Sequence, residues 1–375
     1  MKIAIVHDYL NQYGGAEKVV EVFHELYPDA PIYTTIFDKN KMPPLFERMD
    51  IRTSYMQKFP FLDKHFKKYL LFYPGAIESF DLREYDLIIS SSSAFAKGAI
   101  KGKDAVNICY CYSPMRFVWD YKHYVEKENF GNLTSKLLPI AIKSLKKWDL
   151  KTVGRVDHYV TISGYIQDRV KNFYKKDSEV IYPPVSVASC KISDKTEDYF
   201  LIVSRLNAYK NIDIVIEAFN KCRLNLKIVG TGPYGDTLKK MAKGSNIEFT
   251  GRLSNDELKE TYSKCRAYIF PGKEDFGITP VEAQAFGKPV IAYADGGALE
   301  TVVDGVTGLF FKHKSPDELL KTIEKFIEIE KSFNAENIRQ NALRFDTAVF
   351  KEKITVFIEK KYKEFREKNP FNLND

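Results

Sequence analysis

Cysteine is scarce in this chain: five occur among 375 residues, at positions 109, 111, 190, 222 and 265. Few, scattered and odd in number, they argue against a disulfide framework and for a reducing, cytosolic compartment. No stretch reaches the roughly 18–20 uninterrupted apolar residues that a membrane span needs. The opening run Ile3-Ala4-Ile5-Val6 is too short for a signal peptide and no small-residue cleavage site follows it, so it reads as a first strand. Internal repeats and low-complexity tracts are also missing. Charge of one sign is not in large excess: 57 basic against 50 acidic residues leave +7, far from a nucleic-acid-binding tail. Five of the seven excess positive charges fall before residue 185, a weak preference for an anionic surface or substrate.

What is present is a globular balance, with 44% hydrophobic and 29% charged residues, and a length suited to two or three domains. Aromatic residues are abundant at 14%, concentrated in part at 56–73 and 110–124. Apolar strands alternate with amphipathic helices almost throughout. Strands are expected at 3–6, 32–37, 85–90, 106–112 and 158–162, with helices from Ala16 to Leu26 and from near Tyr165. The alternation pauses at Tyr182-Pro183-Pro184-Val185 and the polar stretch to Asp198, then resumes. Strands are expected at 199–204, 224–229, 247–250, 267–271 and 290–294, interleaved with helices at 213–222, 236–242, 255–264 and 280–286. An amphipathic helix over 350–365 closes the chain. This pattern predicts an α/β protein with two parallel-sheet, Rossmann-like domains, 1–184 and 185–349, and a terminal helix, 350–375, crossing back to the first. Ligands in such sheets bind at the carboxyl ends of the strands, here expected in a cleft between the halves.

Two segments carry chemistry. In Phe270-Pro271-Gly272-Lys273-Glu274-Asp275-Phe276-Gly277-Ile278-Thr279-Pro280-Val281-Glu282-Ala283, a strand ends, a loop holds Glu274 and Gly277, and a helix begins near Pro280. Amides of Phe276, Gly277, Ile278 and Thr279 at that helix start offer an anion site, and Glu282 is suited to holding paired hydroxyls, as on a ribose. In Val203-Ser204-Arg205-Leu206-Asn207-Ala208-Tyr209-Lys210, two cations follow a strand and could clamp a diphosphate, stabilising the charge a departing nucleoside diphosphate gains. Taken singly, each of these residues also reads as a solvated surface charge.

With the spacing Glu274-x7-Glu282 preceded by Arg205-x4-Lys210, the chain resembles the retaining glycosyltransferases of family 4, which have the two-domain GT-B fold. The resemblance extends to 1–18, 203–213, 228–233, 249–253 and 296–305, and so covers most of the chain. Within the family it is most similar to bacterial mannosyltransferases that use GDP-mannose in O-antigen and polysaccharide assembly, through Asp86–Ser92, Ser113-Pro114-Met115-Arg116 and Glu274–Pro280. The resemblance implies that Arg205 and Lys210 bind the donor diphosphate and Glu282 its ribose. Glu274 and the 276–279 amides would hold sugar and phosphate, Gly251-Arg252 would lie by the base, and Gly14-Gly15 by a phosphate or the acceptor. It implies sugar transfer with retention by front-face attack, from a nucleotide sugar to a saccharide acceptor, lipid-linked in the bacterial case. Neither a metal nor another cofactor is expected, and no Asp-x-Asp occurs. One position departs: Tyr112 stands where the family commonly has the histidine of His-x-Pro, keeping a hydrogen-bonding group but not a neutral-pH base. A UDP-sugar donor, a GT-B epimerase and a non-catalytic sugar-nucleotide sensor stay open.

Other features weigh less. Gly230-Thr231-Gly232-Pro233-Tyr234-Gly235 matches G-x-G-x-x-G, with Glu248 further on, the pattern of a nicotinamide-dependent oxidoreductase. It follows the second strand of its half, and Pro233 alters the loop, so it reads as a donor-side loop. Cys109-x-Cys111 has the wrong spacing for a zinc pair, and His7 ends the first strand as a candidate cleft residue. On a helical wheel over Met56–Tyr73, Leu62, Phe66, Tyr69, Leu70 and Tyr73 share one face and Lys64 and Lys68 the other. Such a helix either packs on the core or lies on an anionic membrane, making the enzyme cytoplasmic and peripheral.

Overall fold

The computed structural model of the chain describes residues 1–120, 132–193 and 195–369. Tyr121 and Tyr124 of the second aromatic stretch lie outside the described residues. The chain divides into two units, 1–184 with the chain from Phe350 on, and Val185–Val349.

The first unit is built on a seven-stranded sheet: β1 (Ile3–His7), β2 (Ile32–Thr34), β3 (Ile51–Thr53), β4 (Leu87–Ser92), β5 (Val106–Cys111), β6 (His158–Thr161) and β7 (Ser178–Val180). Every pairing is parallel, in the order β3-β2-β1-β4-β5-β6-β7. Helices cover the sheet because a parallel strand must be followed by a crossover. The first, Gly15–Leu26, buries Val19, Val20, Val22 and Phe23. β2 is shorter than its apolar run, and β3 and β7 escape the sequence reading because three residues each leave too little alternation to detect. The terminal helix, Thr347–Lys368, buries Phe350, Ile354, Phe357 and Ile358, the i, i+4, i+7, i+8 face of a docked helix. Phe350 meets the rings of Phe23 and Tyr110, and Lys351 pairs with Glu25 at 2.6 Å.

The Met56–Tyr73 stretch is not one helix. It breaks into a 3-10 turn (Tyr55–Lys58), a single α-turn (Leu62–His65) and a kinked 3-10 segment (Phe66–Phe72). Phe61 sits between them in the left-handed region, φ 55°, which a helix cannot pass through. Leu62, Phe66, Tyr69 and Leu70 pack against the core, together with buried Met56 and Tyr73, so the face expected to be apolar is a core face. Outside it, Phe61 (72% exposed), Leu71 (55%) and Phe72 (49%) remain in water. No described helix is long and apolar enough to cross a membrane.

The second unit holds a six-stranded sheet: β8 (Phe200–Val203), β9 (Leu226–Val229), β10 (Ile247–Gly251), β11 (Tyr268–Phe270), β12 (Val290–Tyr293) and β13 (Gly308–Phe311). The order is β10-β9-β8-β11-β12-β13, again all parallel. Along β8, Phe200 and Ile202 enter one core cluster while Leu201 enters another, so both faces are covered. β13 and the helices Pro316–Ile329 and Ala335–Leu343 follow the last strand expected from sequence.

A buried ion pair ties the first unit together. Lys97 (2% exposed) and Asp149 (0%) meet at 2.9 Å. Lys97 Nζ also donates to Thr152 Oγ1 and the Asp149 carbonyl, while Asp149 accepts from Trp119 Nε1 (2.8 Å) and the Tyr174 hydroxyl (3.1 Å). Removing one partner strands the other charge without water, at a cost of about 3–5 kcal/mol. Asp149→Ala is expected to destabilise the first unit by that amount in urea unfolding. Replacing both residues with apolar ones should cost markedly less than Asp149→Ala alone.

Candidate functional site

In both sheets the strand order reverses beside the first strand, so the loops leaving two neighbouring strands diverge and open a crevice at their carboxyl ends. In the second unit these strands are β8 and β11. Arg205, exposed, and Lys210 follow β8, the lysine in a 3-10 turn over Ala208–Lys210. Pro271 to Glu274 follow β11. Lys210 Nζ contacts Glu274 Oε1, both side chains being less than one-fifth exposed. Asn211, in the left-handed region, donates to the Pro271 carbonyl at 3.3 Å and locks the lysine turn onto the end of β11.

The next helix, Ile278–Ala285, starts at Gly277, whose φ of 88° swings the chain from loop to helix. Phe276 is buried against Phe345. Thr279 Oγ1 lies 2.8 Å from the Tyr268 hydroxyl, which also donates to the Val203 carbonyl at 3.0 Å. One turn on, Glu282 Oε2 accepts from the Tyr262 hydroxyl at 3.0 Å. Gly251 (φ 73°) ends β10 and its carbonyl accepts from Gly230 N, with Arg252 exposed beside it. The structure therefore gathers Arg205, Lys210, Glu274 and the 276–279 segment around one crevice, with Glu282 on the same helix and Gly251-Arg252 at the end of β10.

The G-x-G-x-x-G loop has another reason for its glycines. A side chain at Gly230 or Gly232 would strike the backbone of Ser204 or Leu206, and Leu206 N bonds the Thr231 carbonyl at 3.0 Å. The loop braces the arginine segment from the neighbouring strand, away from the point of reversal.

In the first unit the corresponding strands are β1 and β4, and their crevice is occupied by the chain's own groups. Asp8, 1% exposed, accepts from the amides of Ser93, Ala94, Phe95 and Ala96 and from the Ser93 hydroxyl, at 2.6–2.9 Å. Glu17 Oε2 accepts from Gly14 N at 2.8 Å, so a carboxylate already caps the helix that follows Gly14-Gly15. Tyr112 is 9% exposed and its hydroxyl donates to the Ala16 carbonyl at 3.1 Å. Ser91 Oγ must then donate to Tyr112, 2.8 Å away. His7 Nδ1, within 3.2 Å of the Ser91 carbonyl, carries its proton there. Burial pushes the Tyr112 phenol far above its ordinary value, so it stays neutral. Tyr112 thus ties the carbonyl of Ala16, next to Gly14-Gly15, to Ser91 of β4, which His7 also contacts. Cys109 and Cys111 are buried free thiols of β5.

Sequence reasoning missed Tyr262 and Tyr268, whose spacing reads as plain core, and the clasp of Asp8, whose only signal is an acid at the end of a first strand.

The fold matches that of solved structures. HepE of Anabaena, crystallised with UDP, superposes with a TM-score of 0.72 at 19% identity, over 96% of this chain and all of that one. At that identity the likeness is one of fold, the α/β architecture called GT-B. Residues 191–345 match the family of glycosyl transferases group 1, and this stretch is a glycosyltransferase group 1 domain. An uncharacterized glycosyltransferase of Methanocaldococcus jannaschii is 29% identical over 212 residues, 56% of this chain and 60% of its own. The O-antigen chain mannosyltransferase RfbU of Salmonella typhimurium is 30% identical over 210 residues, 50% of this chain and 59% of its own. The chain thus spans about three-fifths of the length of these two relatives.

Gly297 N donates to the Glu274 carbonyl at 2.9 Å, and a Cβ at Gly297 would overlap the backbone of Phe276. Its φ of −65° suits any residue, so only this overlap opposes a substitution. Gly297→Ala is expected to displace the 274–276 loop and cost the second unit about 1–3 kcal/mol in denaturant titration.

Proposed function

We propose that the chain is a retaining glycosyltransferase that moves a hexose, mannose from GDP-mannose, to a lipid-linked saccharide in cell-surface polysaccharide synthesis. The observation that supports it most is the convergence of Arg205, Lys210 and Glu274 with the start of the 278–285 helix at the β8/β11 reversal. The second unit binds the donor. Arg205 and Lys210 face the diphosphate, amides of 276–279 add hydrogen bonds to phosphate or sugar, and Glu282 takes the ribose hydroxyls. Gly251-Arg252 borders the base. Glu274 pairs with Lys210, and a bound diphosphate competes for that lysine and leaves the carboxylate to the sugar hydroxyls. The mannose reading leans on the Salmonella relative.

In the reaction, an acceptor hydroxyl oxygen forms a bond to the sugar's anomeric carbon on the face that the diphosphate leaves. The bond from that carbon to the phosphate oxygen breaks with its electron pair, and the hydroxyl proton passes to the departing phosphate. Preplaced cations stabilise the charge that accumulates there. No enzymatic base is required, which accords with a neutral Tyr112 in place of the family's histidine. With Asp8 and Glu17 already seated in its crevice, the first unit is unsuited to a second phosphate and takes the saccharide acceptor, near Gly14-Gly15. UDP-sugar use is the second reading.

Arg205→Ala and Lys210→Ala are each expected to lower turnover about 10²-fold, the scale of a lost transition-state charge contact. Wild-type rates in both variants would refute the donor assignment. A thermal-shift series with GDP, UDP, ADP and their sugars tests the donor, since a ligand that binds the folded chain raises its apparent stability. Stabilisation by UDP-sugars without GDP-mannose would replace the mannose reading.

The enzyme works at an anionic membrane surface through Phe61, Leu71 and Phe72, flanked by the exposed Lys58 and Lys68. Phe59 stacks its edge on Phe72 (5.3 Å) and packs on Tyr69 (5.1 Å), a stiff base for groups that enter the interface. Flotation with vesicles containing anionic lipid should recover the wild-type chain, and Phe61→Ser with Lys58→Glu and Lys68→Glu should stay behind. Equal recovery of both would refute this role.

A further inference from the structure

Beneath the 278–285 helix lie two phenols that the proposed reaction does not use. Tyr262, on the helix Asn255–Lys264, and Tyr268, in β11, are 2% and 1% exposed, with ring centroids 5.9 Å apart. Tyr262 also stacks on Phe286 at 5.9 Å and 10°. Each could have been phenylalanine as far as packing goes, and each instead ends in one hydroxyl aimed at the helix above. Tyr262 donates to Glu282 Oε2 at 3.0 Å. Tyr268 donates to the Val203 carbonyl at 3.0 Å and, its proton so used, accepts from the Thr279 hydroxyl at 2.8 Å. Glu282 and Thr279 are three apart, on one face of that helix. Val203 is the last residue of β8, two before Arg205, so the Tyr268 hydroxyl joins the strand that carries the cations to the helix that carries the amides.

We propose that Tyr262 and Tyr268 are positioning residues of the nucleotide-sugar site: Tyr262 sets the rotamer of the Glu282 carboxylate, and Tyr268 fixes the helix start against the end of β8. The assignment rests on the donor-site reading above. Burial keeps both phenols far from ionising, so each retains its proton across the pH range of an enzyme assay. A carboxylate oriented by the Tyr262 hydroxyl meets ribose hydroxyls in a set geometry, and the ordering that binding would otherwise demand is spent in folding.

Calorimetric titration of the full chain with GDP and UDP tests this. Tyr262→Phe and Tyr268→Phe keep the rings and remove only the hydroxyls. Each is expected to raise the nucleotide Kd about five- to tenfold, the value of one buried hydrogen bond. In a Glu282→Ala background Tyr262→Phe should cost nothing further, and in a Thr279→Val background Tyr268→Phe should lose most of its effect. Affinities unchanged in the single variants, or losses as large in the paired backgrounds, would overturn the assignment and leave the donor site standing. Failure of the wild-type chain to bind any nucleotide would instead overturn the donor site and this assignment with it. Melting temperatures without nucleotide, read on the same samples, separate loss of positioning from loss of fold.

Discussion

The reversal of strand order is the constraint on which the rest depends. A parallel sheet needs a right-handed crossover between successive strands. The chain of each unit therefore runs outward on one side of its first strand before returning to lay the remaining strands on the other. The two strands flanking the reversal send their loops apart, and nothing in the sheet itself fills the gap. The units resolve it in opposite ways. Between β1 and β4 the gap is closed from within, by the Asp8 carboxylate gathering four amides and a hydroxyl. Between β8 and β11 it is lined with Arg205, Lys210 and Glu274. One topology thus yields a self-filled seam and a site, and the difference lies in a few side chains.

The same logic governs buried polarity elsewhere. β4 carries three serines in succession, in a strand buried on both faces. They are tolerable because each has a partner: Ser90 bonds Asn107 at 2.8 Å, Ser91 relays between His7 and Tyr112, and Ser92 receives the amide of Lys97. A single unmet group there would cost more than the hydrogen bond it forgoes. The seam between β1 and β4 is therefore held as much by complete pairing as by apolar contact.

Much of the fold was legible because buried parallel strands such as Leu87–Ser92 and Val290–Tyr293 are near-continuous apolar or small-residue runs between helices of clear period. The helix over 255–264 announces itself through Ser254 and Glu257, which cap it reciprocally. What stayed hidden was short or irregular. β3 and β7 span three residues each, and the 56–73 stretch shows a helical wheel although Phe61 breaks the backbone within it. Periodicity records which side chains face the core; it does not record whether one helix or three turns present them. At the candidate site, charged residues beside glycine and proline were visible as a pattern. Tyr262 and Tyr268 were not, because a buried tyrosine and a buried phenylalanine have the same period and only a partner in space tells them apart.

The chain enters the second unit after Pro184 and leaves it before Phe350. At that doorway Val185 N bonds the Phe345 carbonyl at 2.9 Å and Thr347 N bonds the Val185 carbonyl at 3.1 Å. The second unit is therefore an insertion whose two ends are laced together. Its folding reduces a long loop in the first unit to a hairpin-sized gap, and the entropy of bringing the terminal helix back to Phe23 and Tyr110 falls accordingly. A domain with joined ends can be lifted out, exchanged or permuted without stretching its host, which makes this doorway a natural seam for recombination between related chains.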